Sequence, residues 1–252
     1  MTNNSKKIYY MVITALFTAL SFAGTHIKIN LPTGDFIHLG NFVCILSSFL
    51  FGPTIGAITG GLGMGLADIS MGFMPSIIIR TFIVKSLMGA MTGFLFSWLV
   101  KKEKNIKLLM IIQGSFFILL GIIFTIPYFL ENNGFNISID GLEKFIPINA
   151  VLPILLFISG ISLFLIAVIF KGLKYLDKVV LYTASVAIFI NISLEFIGKV
   201  FLPYFLERIP ITTNLVSAIS KIPGSIVTGF ITITLVVLVY EPVIKALNKE
   251  KV

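Results

Sequence analysis

The chain has 252 residues, 57% of them hydrophobic and only 12% charged, with a formal net charge of +8. Soluble domains carry about 25% charged residues, so too little polar surface remains to cover a water-facing body of this size. The mean hydropathy of +1.03 makes the bilayer the solvent, and continuous apolar runs, without the period-two alternation of barrel strands, predict an all-α integral membrane protein. The positive charge is not a nucleic-acid signature. Lysines sit at the ends of apolar runs, where they set membrane topology. Cys44, alone in an apolar run, reads as a small packing residue. The first run continues from Lys6 and Lys7 to Ile27 without a small-residue cleavage site, so no signal peptide is read there.

Eight candidate spans follow in chain order. The first covers Ile8 to Ile27 and leads into a polar stretch, Lys28 to Asp35, with Asn30, Pro32 and Gly34. The second, Phe36 to Phe51, is short and ends at the Gly52-Pro53 turn signal. The third, Thr54 to about Phe73, is glycine-rich. The fourth runs from Pro75 to Val100 and stops at the cluster Lys101, Lys102, Glu103 and Lys104. The fifth, Ile106 to Leu130, and the sixth, Phe145 to Phe170, flank a polar loop with Glu131, Asn132, Asn133, Asp140 and Glu143. After Lys171, Lys174 and Lys178 comes the seventh, Val179 to Phe205. A loop with Glu207, Arg208 and Pro210 leads to the eighth, Leu215 to Val239. The chain divides into helices one to four (1–104), a transmembrane hairpin (105–178) and two last helices (179–252).

With the N-terminus inside, the cytoplasmic stretches hold 12 of the 19 basic residues, and the outer loops hold Lys28, Lys144 and Arg208. That bias predicts a multi-pass protein with both termini in the cytoplasm. Small residues at four-residue spacing predict close helix approach in lipid: Gly52, Gly56 and Gly60, then Gly61 and Gly65, then Gly89 and Gly93. Ala15 and Ala19 share one face of the first span and suit either internal packing or docking to another membrane protein.

Six ionisable residues fall within or beside the spans: Asp68, Arg80, Lys85, Glu195, Lys199 and Lys221. Each costs roughly 2.5–3.5 kcal/mol at mid-membrane unless it finds partners or water, which makes each a functional candidate. The derived topology puts all six in the outer half of the bilayer. A proton relay or channel needs polar groups through the full depth, whereas a one-sided polar cavity over apolar packing suits a binder open to the outside. Asn191, Glu195 and Lys199 recur every fourth residue and share a helix face. They contact a ligand or simply pair, as Asp68 would with Arg80 or Lys85. Asn30, Asp35 and His38 lie at the outer mouth, positioned to form a lid. Two distant histidines and one cysteine give no metal-site spacing, and no hydrolase, metalloprotease or phosphate-loop motif is present. No catalytic residue and no cofactor is expected. The competing readings are an ion-gradient-driven transporter, which predicts inverted repeats, and an intramembrane enzyme, which needs a paired nucleophile or metal at depth.

Several stretches resemble a known family. His38-Leu39-Gly40-Asn41-Phe42, Leu50-Phe51-Gly52-Pro53 with Gly56-Ala57, Gly60-Gly61-Leu62-Gly63 with Ala67-Asp68, Thr81 to Gly89, and Lys221-Ile222-Pro223-Gly224 are similar, in order and spacing, to the substrate-binding (S) components of energy-coupling factor (ECF) transporters, riboflavin-type group. The similar stretches cover about 1–100 and 179–247. The resemblance implies a six-helix bundle in a bacterial plasma membrane, here with about 75 extra residues from Asn105 to Lys178 as a peripheral hairpin. It implies capture of a vitamin-like heterocycle (riboflavin, a pyridoxine-type compound or hydroxymethylpyrimidine) under the loop after helix one. Delivery would proceed with a transmembrane coupling protein and two cytoplasmic ATPase subunits, docked through Ala15 and Ala19. The expected polar lining is Asn30, His38, Arg80, Lys85, Asn191, Glu195, Lys199 and Lys221, with Phe36, Phe82, Phe196 and Tyr204 as aromatic candidates for stacking.

Overall fold

A computed structural model describes residues 3–30, 36–102, 105–130, 134–139, 142–147, 151–169 and 172–249. After α1 (Asn3–His26), β1 (Lys28–Asn30) pairs antiparallel with β2 (Phe36–His38), setting Lys28 opposite His38 and Asn30 opposite Phe36. Asp35, expected in the lid, lies outside the described residues. Then come α2 (Gly40–Phe51), α3 (Pro53–Ile58), a π-helical stretch (Thr59–Met64), α4 (Gly65–Ser70), α5 (Pro75–Lys102) and α6 (Ile106–Leu130). The antiparallel hairpin of β3 (Gly134–Ile139) and β4 (Leu142–Pro147) precedes α7 (Val151–Val168), α8 (Tyr175–Glu207) and α9 (Ile211–Lys249).

Among the described residues, six helices are long and apolar enough to cross a membrane: α1 and α5 to α9. The other two expected spans are built differently. The 12 residues of α2 reach about 18 Å at 1.5 Å per residue, short of a roughly 30 Å hydrocarbon core. The third is a composite of α3, the π-helical stretch and α4, ending at Gly72 with φ +71°. The expected sixth span begins later than the hydropathy suggests, because 142–147 form a strand. The last begins earlier and is longer, 39 residues from Ile211.

The glycines explain how the composite span packs. A side chain on Gly89 would run into the Gly56 backbone, and a Cβ on Gly93 would lie 2.5 Å from the Pro53 nitrogen, so α3 and α5 meet backbone to backbone. A Cβ on Gly60 would lie 2.6 Å from the Lys85 carbonyl oxygen, and one on Gly63 would lie 2.8 Å from the Thr18 carbonyl oxygen. The π-helical stretch thus touches α5 on one side and α1 on another. Gly52 joins this seam through its backbone, its carbonyl carbon lying 2.7 Å from a Cβ on Gly93. It has φ +91° with nothing within 4 Å of a Cβ, and it makes the turn between α2 and α3.

The central body sets α5 against α8, α3 and the π-helical stretch, and α8 against α9. Helices α6 and α7 pack chiefly on each other and touch α8 and α9 at their edges. Their seam is also close: a Cβ on Gly160 would lie 2.6 Å from the Gly114 carbonyl oxygen. The core of the body is apolar, with Cys44, Ile45, Met88, Leu99 and Val179 fully buried. An aromatic trio, Phe49, Phe96 and Tyr240, has ring centroids 4.5–5.8 Å apart.

Gly89→Leu should destabilise the protein by about 3 kcal/mol or prevent folding, since overpacking against backbone has no soft neighbour to displace. Gly172→Ala, in open space, should be neutral. Thermal melting of the purified full-length chain checks both.

Candidate ligand cavity

The end of the bundle that carries β1 and β2 is held by one carboxylate. Glu207, the last residue of α8, accepts hydrogen bonds from the Ser76 backbone N–H through Oε1 (3.1 Å) and from the Ser76 hydroxyl through Oε2 (2.9 Å). It caps α5 where the helix dipole favours negative charge. Arg208 closes α8 in the left-handed conformation (φ 60°). The Asn214 amide donates to the Val200 and Ile209 carbonyls, tying α9 to the same corner. Three helix ends are thereby placed in register. Lys85 lies ten residues into α5 and Glu195 twelve from the end of α8, about 15 and 18 Å along their axes, so the two side chains meet at similar depth.

There they form a connected polar cluster. The Lys85 ammonium donates to Glu195 Oε1 at 2.5 Å and to Asn191 Oδ1 at 2.7 Å, and Lys199 pairs with Glu195 Oε2 at 3.2 Å. Lys85 is 4% exposed, so this pairing is what makes its charge tolerable. Asp68 shares a side-chain hydrogen bond with Thr81. The aliphatic part of Arg80 lies against Gly198: a Cβ there would come within 2.7 Å of its Cγ.

Arg80, Lys85, Glu195, Lys199, Asp68, Lys221 and His38 line one cavity of about 140 Å³, together with Thr25, Phe36, Met64, Phe73, Ile77 and Thr81. All six ionisable residues singled out in the spans therefore converge. His38 sits in β2 and accepts the Gly40 N–H through Nδ1 at 3.1 Å, which puts the proton of the neutral ring on Nε2. Desolvation, and then the Lys85 cation, pull its imidazole down to about 3, with Glu195 opposing. At the mouth, the parallel rings of Phe36 and Phe73 have centroids 6.2 Å apart, and the Lys28 ammonium lies 5.3 and 5.6 Å from them. Such contacts stabilise by about 0.5–1 kcal/mol each at exposed sites.

Of the residues expected to line a site, Asn191 stands behind the cavity as the acceptor for Lys85, and Asn30 is exposed on β1, outside the lining. Among the aromatic candidates Phe36 lines the cavity. Phe82 packs on Gly65, Phe196 faces a different cavity, and Tyr204 is 43% exposed. Sequence reasoning missed Thr25, Met64, Phe73, Ile77 and Thr81. Thr25 is the penultimate residue of α1, and Thr81 lies six residues into α5. The others are apolar and carry no local signal. Ala15 and Ala19 lie on an exposed face of α1 with Met11, Val12, Leu16 and Leu20.

A larger cavity of about 850 Å³ lies between α6, α7, α8 and α9, lined by residues such as Phe117, Leu152, Leu156, Ile192, Phe196 and Ile226. Size alone would favour it as a ligand site, but its chemistry does not. The hydroxyls of Ser159, Ser162 and Thr234 on its wall already donate to carbonyls of their own helices. A polar heterocycle would find few groups to orient it there, whereas ligand sites combine apolar walls with convergent polar groups. The smaller cavity has that combination.

A family described as the ECF-type riboflavin transporter, S component, matches residues 5–133, just over half of the chain. The match runs from α1 through the end of α6 and stops before β3. A protein of Pyrococcus woesei, described as an uncharacterized protein in gap 3' region, is 28% identical over 111 residues, which cover 43% of this chain and 70% of that protein. No solved structure matches the chain. With its predominantly helical membrane architecture, the chain belongs to the ECF-type riboflavin transporter S component family and is the substrate-binding subunit of an ECF transporter, a transport family rather than an enzyme family.

Proposed function

We propose that this subunit captures a small heterocyclic micronutrient of the vitamin class from outside the cell and delivers it with an ATPase-driven coupling module. The observation that carries the reading is the convergence of six intramembrane ionisable side chains on one cavity near one end of the bundle, over a core of apolar and uncharged polar side chains. Lys101, Lys102, Lys107, Lys174, Lys178 and Lys245 lie toward the other end. Positive residues favour the cytoplasmic face, so the cavity end faces outward and both termini lie inside. The β1–β2 hairpin, with His38 and Phe36 on the cavity, serves as its lid.

The same reading divides the chain into a receptor body (1–104 and 179–252) and an added hairpin (105–178). Support comes from packing: α5 lies directly on α8, and the hairpin stands beside them. Its edges meet α8 and α9 while Ala15 and Ala19 stay exposed on α1, leaving that face open to the transmembrane coupling protein. Two ATPase subunits complete the assembly on the cytoplasmic side. Riboflavin is the ligand named in the family's description.

Glu195→Gln and Lys199→Met should each weaken ligand binding at least tenfold (about 1.4 kcal/mol) in titration calorimetry of the folded variants. Unchanged affinity in both would reassign that face of α8 to structure. Replacing Ala15 and Ala19 by Trp should abolish uptake in vesicles holding the coupling subunits while leaving affinity intact. ATP-independent uptake that follows a proton gradient would instead favour a secondary transporter.

His38 supplies a pH test. Its depressed value keeps it neutral in the ligand-free protein, so no step in binding near its ordinary value of 6.5 arises from that state. Affinity of His38→Gln should shift by the same factor at every pH, and loss of a step near 6.5 in the variant would contradict this. Folding behaves differently. Below pH 6.5 the unfolded chain takes up a proton that folded His38 refuses until about 3, so this residue's contribution is full above 6.5 and is lost as pH falls.

A further inference from the structure

Four cations line the cavity, Arg80, Lys85, Lys199 and Lys221, against two carboxylates, Asp68 and Glu195. With Lys221 set aside, Arg80, Lys85 and Lys199 face Asp68 and Glu195, and with His38 neutral one positive charge is in excess. An uncompensated charge at membrane depth is costly, and the cations are not equally satisfied. Lys85 and Lys199 share Glu195. Among the described residues Arg80 has no carboxylate within 4.0 Å and no hydrogen bond, although Asp68 and Glu195 act on it at longer range. Its methylenes lie against Gly198 and the residue lines the cavity, so its planar fork of five donors is the group with the fewest protein partners near a bound anion. A guanidinium so held matches the two oxygens of a carboxylate or phosphate.

The volume narrows the class further. A cavity of about 140 Å³ is close to the roughly 150 Å³ apolar cavity that binds a single benzene ring. One six-membered ring fits between the aromatic mouth and the polar floor, and a fused tricyclic system does not fit without rearrangement. Resting on the reading of this cavity as the substrate site, we infer that the ligand is a single-ring heterocycle bearing an oxyanion, which Arg80 grips while the ring lies under Phe36 and Phe73.

Matched probes test this on the full-length purified protein. Nicotinate against nicotinamide isolates a carboxylate, pyridoxal 5′-phosphate against pyridoxal isolates a phosphate, and riboflavin supplies the neutral tricycle. Inorganic phosphate and acetate supply the bare anion. Thermal shift and calorimetry should find that one or both acidic ring probes bind at least tenfold more tightly than their neutral counterparts and the bare anions. Arg80→Gln should remove that preference and Arg80→Lys should keep part of it, while native mass spectrometry identifies any co-purified molecule as acidic and monocyclic. Tighter binding of riboflavin or of a neutral ring overturns this inference and leaves the binder reading standing. Equal binding of bare anions makes the cavity a simple anion site and overturns it too. Silence from every probe, with no molecule co-purifying, overturns both readings. If Arg80→Gln fails to fold, the comparison of matched probes on the parent protein still decides.

Discussion

The ion pair between Lys85 and Glu195 governs the arrangement of this protein's membrane interior. A lysine of which 4% is exposed, ten residues into a membrane helix, meets little water. Its charge is tolerable because α8 presents a carboxylate at 2.5 Å and an amide oxygen at 2.7 Å. Those two acceptors sit one helical turn apart, so a single ammonium reads the register of α8 against α5. A slip of either helix by one turn would strand a charge at a cost of several kcal/mol. The Glu207 cap on α5 fixes the same register from the end of the bundle. Two independent polar contacts between the same helices leave one alignment. Lys199 and Arg80 then fall on the cavity as a consequence.

Close packing of small residues does complementary work around the cluster. Lipid chains are as apolar as leucine, so helices gain little by hiding hydrophobic side chains from them and instead rely on contact area. Gly56 and Gly89 supply it by bringing α3 and α5 into backbone contact. The π-helical stretch supplies it in two directions, toward α5 through Gly60 and toward α1 through Gly63. An extra residue per turn is rare in helices and recurs at functional sites. Here it sits directly before α4, whose Asp68 lies on the cavity wall. Met64, the last residue of the stretch, is also in that wall.

The paired helices α6 and α7 belong to a separate packing system. They are zipped together at Gly114 and Gly160 and enclose an apolar cavity against α8 and α9. Nothing in that arrangement disturbs the Lys85 cluster, which faces the opposite side of α8. On one helix, Glu195 and Lys199 line the polar cavity and Asn191 backs Lys85 behind it, while Ile192 and Phe196 face the apolar one. The family match reaches into α6, so the boundary of the matched stretch is not where the packing divides.

Sequence alone determined the solvent, the helical class and the set of charged residues that must find partners, because the bilayer penalises each unsatisfied charge by an amount that composition cannot hide. The four-residue spacing of Asn191, Glu195 and Lys199 was readable for the same reason: helical period is local. What hydropathy misjudged were the ends. The strand 142–147 passed for the start of a helix, and the composite third span passed for a regular one, because an apolar run does not record which carbonyl each N–H reaches. Tertiary structure alone decided that Lys85 pairs with Glu195 rather than Asp68, that Phe36 and Phe73 meet at the mouth, and that Asn30 stands outside it. Such pairings join residues 37 to 110 positions apart, and only helices already packed in register can bring them together.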